Sequence, residues 1–100
     1  MITRVVRLSF RPDAVEGFLH TLMSFEASIR EAPGCIELHV YRDSEDPDVY
    51  YTISRWRLAS DLEAYRKSEL FGKVWKSVKP GFRSPALAWS LEEMQVNRQS

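Results

Sequence analysis

From Ile2 to Phe10 the chain alternates, with Val6, Leu8 and Phe10 on one side of an extended backbone and Val5, Arg7 and Ser9 on the other. A period of two among β-branched and aromatic residues predicts a strand, which Arg11-Pro12 ends. The period then changes. Val15, Phe18, Leu19, Leu22, Phe25 and Ile29 recur at three- and four-residue steps, the single apolar stripe of an amphipathic helix. This helix is expected to open at Asp13, with Glu16 completing a capping box, and to close at Ala32-Pro33-Gly34. Proline cannot continue a helix, and glycine takes the left-handed conformation that ends one.

A second strand, Cys35 to Tyr41, carries Ile36, Leu38 and Val40 on one face and Cys35, Glu37, His39 and Tyr41 on the other. The polar loop 42–48 leads into a third strand, Val49 to Arg57, with Tyr50, Thr52, Ser54 and Trp56 opposite Tyr51, Ile53 and Arg55. Ser60 and Glu63 predict a second capping box, followed by Leu62 and Tyr65 on one helical side. After Ser68, the positions Phe71, Val74, Trp75 and Val78 keep helical spacing until Lys79-Pro80-Gly81. Phe82 to Leu91 is expected as the last strand, with Pro85 at an edge or bulge. Residues 92–100 read as a polar tail.

Strand, helix, strand, hairpin, strand, one or two helices, strand is the ferredoxin-like βαββαβ plan, an α+β fold with an antiparallel sheet and helices on one face. One domain over residues 1–91 accounts for it, since single domains commonly run to about 100–150 residues. The strands carry large groups on both faces, Ile36 against Tyr41 and Ile53 against Trp56. A solvated second face would alternate cleanly with polar residues. A second copy of the chain is therefore expected to cover it, giving a homodimer packed sheet to sheet.

Composition narrows the function classes without naming a reaction. With 44% apolar and 28% charged residues the chain reads as globular rather than disordered. No apolar run approaches the roughly 18 residues of a membrane span, and the first residues lack a signal-peptide pattern. Cys35 is the single cysteine, which excludes an intrachain disulfide and points to a reducing, cytoplasmic setting. Net charge is zero, although five basic face nine acidic side chains in residues 1–50 and nine face five in residues 51–100. That balance, with no glycine-and-aromatic signature on the strands, argues against a nucleic-acid partner. The two histidines have no clustered carboxylates or cysteine pairs beside them, so no metal is expected. Neither a phosphate-cradling glycine loop nor a serine-nucleophile elbow is present.

Five fragments in order carry a family resemblance: Glu31-Ala32-Pro33-Gly34-Cys35, Tyr41-Arg42-Asp43-Ser44-Glu45-Asp46-Pro47, Ser54-Arg55-Trp56, Asp61-Leu62-Glu63-Ala64-Tyr65 and Ser68-Glu69-Leu70-Phe71. Over residues 2–91 the chain resembles the antibiotic biosynthesis monooxygenase domain family. The resemblance implies a dimeric α+β barrel. The family it resembles includes cofactor-independent oxygenases of aromatic polyketides, quinol oxygenases, haem-degrading enzymes and many proteins without known activity. Ser54 stands where many members have glutamate, and Tyr65 where many have histidine. Haem-degrading relatives use an asparagine, a tryptophan and a haem-ligating histidine at positions held here by Val6, Tyr65 and Trp75. Tryptophan cannot ligate iron and valine donates no side-chain hydrogen bond, so no haem or other cofactor is expected.

A cofactor-free oxygenase needs an apolar pocket, a base or acceptor, and donors for the substrate anion. His39, with an ordinary pKa of about 6.5, suits a base, and the Tyr65 hydroxyl suits orientation of a substrate oxygen. These two are the expected catalytic residues. Trp56, Trp75, Phe71, Tyr51 and Arg55 are the expected substrate-binding residues for a small aromatic ligand, with Arg55 stabilising a phenolate. The competing assignments are core packing for the aromatic residues, an ion pair for Arg55 and a small buried hydrophobe for Cys35. The functional alternatives are an oxygenase of a phenol, quinol or polyketide, a non-catalytic binding or stress-response dimer, and a haem protein.

Overall fold

The computed structural model describes residues 1–94. Its strands are β1 (Ile2–Ser9), β2 (Cys35–Arg42), β3 (Val49–Trp56) and β4 (Leu87–Glu92), and its helices α1 (Val15–Arg30), α2 (Ala59–Arg66) and α3 (Glu69–Val78). The strands form one antiparallel sheet in the order β2-β3-β1-β4. This is the ferredoxin-like order the sequence predicts, with β1 and β3 at the centre and β4 at an edge.

Register converts the alternation of each strand into rows across the sheet. On the helix-covered face one row runs Val40–Thr52–Val6–Ala88, and the next runs Leu38–Ser54–Arg4–Ser90. On the other face the rows are His39–Ile53–Val5–Trp89, Tyr41–Tyr51–Arg7–Leu87 and Glu37–Arg55–Thr3–Leu91. Side chains of successive residues point to opposite faces, so membership of a row fixes which side of the protein each residue serves.

The core sits where α1 and α3 cross the loop-proximal end of the sheet. Phe10 is fully buried there, stacked on Phe18 at 4.5 Å and packed on Phe82 at 5.3 Å. Leu8, Tyr50 and Val78 complete the cluster. The α1–β2 turn depends on Gly34, whose φ of +83° favours glycine. A side chain there would also run into Asp61 of α2, which lies directly against the turn.

Local details differ from expectation where side chains found other partners. Neither predicted capping box forms. Pro12–Ala14 makes a 3₁₀ turn before α1, and the Asp13 carboxylate accepts from Arg11 Nε at 3.3 Å instead of capping. Helix α2 starts one residue before Ser60, and Glu63 pairs with Arg66 and Lys67. Ser68 does cap: its hydroxyl donates to the Tyr65 carbonyl at 2.6 Å and accepts from Phe71 N–H at 3.1 Å, separating α2 from α3. The last strand begins at Leu87 rather than Phe82, since Pro85 has no N–H to give a ladder. Phe82 keeps only an isolated bridge to Phe10. β4 runs on to Glu92, into the expected tail, of which residues 95–100 lie outside the described residues.

Candidate functional site

Between the core cluster and α2, the helices stand off the sheet and leave a cavity of about 550 Å³. Its floor is the covered face of the sheet, including Arg4, Val6, Leu38, Thr52, Ser54, Trp56 and Ala88. Its roof is α1, α2 and α3, through Phe18, Leu22, Leu62, Tyr65, Arg66, Phe71, Val74 and Trp75. That volume suits a small organic molecule, within the usual range for ligand pockets.

The walls are largely aromatic, and the rings touch in sequence. Trp56 stacks on Tyr65 at 5.0 Å, Tyr65 meets Phe71 edge-on at 5.3 Å, Phe71 stacks on Trp75 at 5.8 Å, and Trp75 meets Phe82 at 5.4 Å. Phe82 then joins the buried Phe10–Phe18–Tyr50 group. The arc starts and ends on β3, because Tyr50 and Trp56 share a face of that strand. Such offset and edge contacts are the favourable geometries for aromatic pairs, so the wall is a packed aromatic surface.

Polar groups are few, and Arg4, Ser54, Tyr65 and Arg66 gather toward the α2 end, with Lys79 at the other. The Trp56 indole N–H donates to Ser54 Oγ at 2.9 Å, which fixes the ring and leaves the serine proton available. Arg4 Nη1 donates to Ser90 Oγ at 2.8 Å. Burial pulls the Arg4 guanidinium below its ordinary range, with Arg66 adding to the effect and Glu63 opposing it. Burial pushes the Tyr65 phenol up to about 12, with a smaller push from Cys35. At neutral pH Tyr65 is therefore a hydrogen-bond donor and not a base. Among the described residues the lining contains no histidine, aspartate or glutamate.

The raised Tyr65 value has a stability consequence with a defined sign. Below pH 10 the phenol is neutral folded and unfolded, and its contribution is fully present; it is lost as pH rises from 10 toward 12, where the unfolded chain ionises first. Allowing for the part of the ring that solvent reaches, the loss is on the order of 1–2 kcal/mol. Denaturant unfolding at stepped pH should show Tyr65→Phe losing less stability over this interval than the parent. Parallel curves for the two would refute the assignment.

Of the expected site residues, Trp56, Tyr65, Phe71 and Trp75 converge on the cavity. His39, Tyr51 and Arg55 do not. They lie on the opposite face, as parity requires: each is an odd neighbour of the cavity-facing Leu38, Thr52 and Ser54. There Arg55 pairs with Glu37 at 3.2 Å, and His39 lies 6.3 Å from the Tyr41 ring. Arg4, Ser54 and Arg66 are cavity residues absent from the expected set. A signal for Arg4 was present, since it shares the parity of Val6 and Leu8 and so places a charge on a covered face.

The sequence profile of the antibiotic biosynthesis monooxygenase family matches residues 1–77. The fold is similar to a crystal structure described as an antibiotic biosynthesis monooxygenase, with a TM-score of 0.89 and 17% identity over 95% of this chain and 100% of that one. A conserved protein from Methanosarcina mazei Go1 gives 0.87 and 19%, over 94% of each chain. A protein from Mycobacterium tuberculosis gives 0.86 and 20%, over 97% of this chain and 98% of that one. At these identities the structures speak to fold alone. No curated protein matches the sequence. Among the described residues no helix is long and apolar enough to cross a membrane, and no three His, Cys, Asp or Glu side chains form a metal-sized group.

Proposed function

The chain belongs to the antibiotic biosynthesis monooxygenase family, and from that premise we propose that its cavity binds a small aromatic phenol, quinol or polyketide and oxidises it with O2, without metal or flavin. The observation that carries this is the aromatic-walled cavity of about 550 Å³ under the helices. In such chemistry the substrate supplies the electrons. In an anthrone-type polyketide an activated ring methylene gives up two hydrogens, one oxygen atom of O2 becomes its carbonyl oxygen, and the other leaves as water. In a quinol one oxygen atom enters a ring C–H as hydroxyl, and the two quinol hydroxyl hydrogens leave with the other as water, giving a hydroxyquinone. The protein's part is to hold the ring flat against Trp56 and Phe71, exclude bulk water and donate hydrogen bonds to the substrate oxygen. Tyr65 and Ser54 are the proposed donors, acting where the oxygen gains charge.

Among the described residues the lining offers none that is a base at neutral pH. This favours substrates acidic enough to ionise themselves, and it is also the observation that favours the second reading, binding without turnover. Oxygen uptake separates the two. Purified protein is presented with anthrones, naphthohydroquinones and catechols, and autoxidation is subtracted. Saturable uptake is expected, with Tyr65→Phe lowering kcat/KM by about 10- to 100-fold through loss of one hydrogen bond to a charged oxygen. Saturable binding with no uptake would leave the binding reading. Loss of uptake in His39→Ala but not Tyr65→Phe would move the site to the other face of the sheet.

The working unit proposed is a homodimer formed by the open sheet face. Leu87, Trp89 and Leu91 of β4 are 48%, 44% and 50% exposed there, beside Val5, Tyr51 and Ile53. A contiguous apolar surface of this kind marks a protein contact, and a second copy brings a surface of matching size. The single cysteine suits a reducing, cytoplasmic setting for that dimer.

A further inference from the structure

The charges around the cavity are of one sign. Arg4, Arg66 and Lys79 line it, and no carboxylate among the described residues does. Arg4 lies in the row Leu38–Ser54–Arg4–Ser90, so its strand neighbours are neutral, and its one hydrogen bond to Ser90 uses a single donor. A guanidinium has five. Among the described residues Arg4 has no ion pair, whereas Arg11, Arg55 and Arg83 each have one. Arg66 is paired with Glu63 at 3.4 Å, but Lys67 also draws on that carboxylate at 3.8 Å. The Arg4–Arg66 end of the cavity therefore keeps a positive excess next to apolar walls.

A partly buried cation with no ion pair among the described residues, its support from Glu63 shared with Arg66 and Lys67, and a cavity in front of it, is an arrangement that an anionic ligand completes. The planar fork of arginine matches a carboxylate better than a lysine ammonium would. The aromatic wall fixes what must follow the charged group: Trp56 and Tyr65 adjoin the Ser54–Arg4 row, and Phe71 and Trp75 continue away from it.

We propose that the Arg4–Arg66 end of the cavity is a carboxylate subsite, so that the ligand is an aromatic acid with its carboxylate at Arg4 and its ring between Trp56, Tyr65 and Phe71. This rests on the cavity being the ligand site proposed above, and it holds whether or not oxygen is consumed. It also gives the substrate a handle that sets which ring position faces Tyr65.

Calorimetric titration with 2-naphthoate and its neutral isostere 2-naphthamide tests this on the intact protein. Naphthoate is expected to bind about tenfold or more tightly, as charge-assisted hydrogen bonds allow, and the advantage should shrink as salt is raised. Arg4→Met should abolish the preference, lowering naphthoate affinity about tenfold or more and naphthamide affinity far less. Arg66→Gln, on an exposed helix position where folding is not at stake, should reduce it. Equal affinities, or a preference that survives both substitutions, would overturn the subsite while keeping the cavity. Tighter binding of 2-naphthyl phosphate than of naphthoate would overturn the carboxylate assignment. Binding of none of these ligands would remove the cavity reading along with the subsite. Naphthoate binding with no oxygen uptake from any substrate would leave the subsite standing and remove only the oxygenase.

Discussion

Phe10→Ala is expected to cost about 3–5 kcal/mol of folding stability, the range for removing a large aromatic side chain from a packed core. Phe10 is 0% exposed and touches three other rings: Phe18 of α1, Phe82 before β4, and Tyr50 of β3. Its backbone is committed as well, since its N–H donates to the Asp48 carbonyl at 3.0 Å and it bridges to Phe82. One side chain thus links the end of β1, the first helix, the hairpin and the approach to the last strand. Domains of this kind are stable by only about 5–15 kcal/mol, so the loss is a large part of the whole. Urea unfolding should show the midpoint falling steeply for Phe10→Ala and much less for Phe10→Leu. Ile36→Ala, at a position 41% exposed, is the comparison and should cost well under half as much. Similar costs for Phe10→Ala and Ile36→Ala would mean that this cluster is not the core.

The same alternation that located Phe10 made most of the fold legible. Periods of two and 3.6 are imposed by backbone geometry, and they survive wherever one face is buried. Where they failed, local competition decided. Asp13 and Ser60 have the residue types of N-caps, but Asp13 is beside Arg11 and follows Pro12, and α2 starts at Ala59, ahead of Ser60. The end of the chain misled because Phe82, Ala86 and Leu87 look strand-like, while Pro85 delays pairing until Leu87.

In the site, parity again carried the information, and chemistry drew attention elsewhere. Trp56, Tyr65, Phe71 and Trp75 lie on the covered sides of their own elements, so their convergence followed from packing. His39 has the chemistry of a base and Arg55 that of an anion stabiliser, although alternation already sets them opposite Leu38 and Ser54. Arg66 was not readable at all: a residue at the end of a short helix faces a cavity only because Ser68 ends α2 there and turns the chain into α3.

Ile53→Asp is expected to have the largest effect on assembly. Ile53 is central on the open face, between His39 and Val5 in a row that ends at Trp89. In a two-fold dimer packed through this face, one substitution places two carboxylates in the contact. Desolvating each without a partner costs several kcal/mol, so the dimer dissociation constant should rise by more than about a hundredfold. Sedimentation equilibrium at micromolar protein should give twice the chain mass for the parent and the chain mass for Ile53→Asp. A parent that sediments as a monomer would refute the dimer, and a variant that stays dimeric would place the contact elsewhere. The substitution is on the face away from the helices, so the monomer should keep the cavity, the Trp56–Tyr65 stack and naphthoate binding. If binding instead falls together with the dimer, the two faces are coupled through β3 itself, where Thr52 and Ser54 face the cavity on either side of Ile53. In that event the second copy acts on the site by holding this strand in register, since a side chain on the open face has no direct path to the ligand.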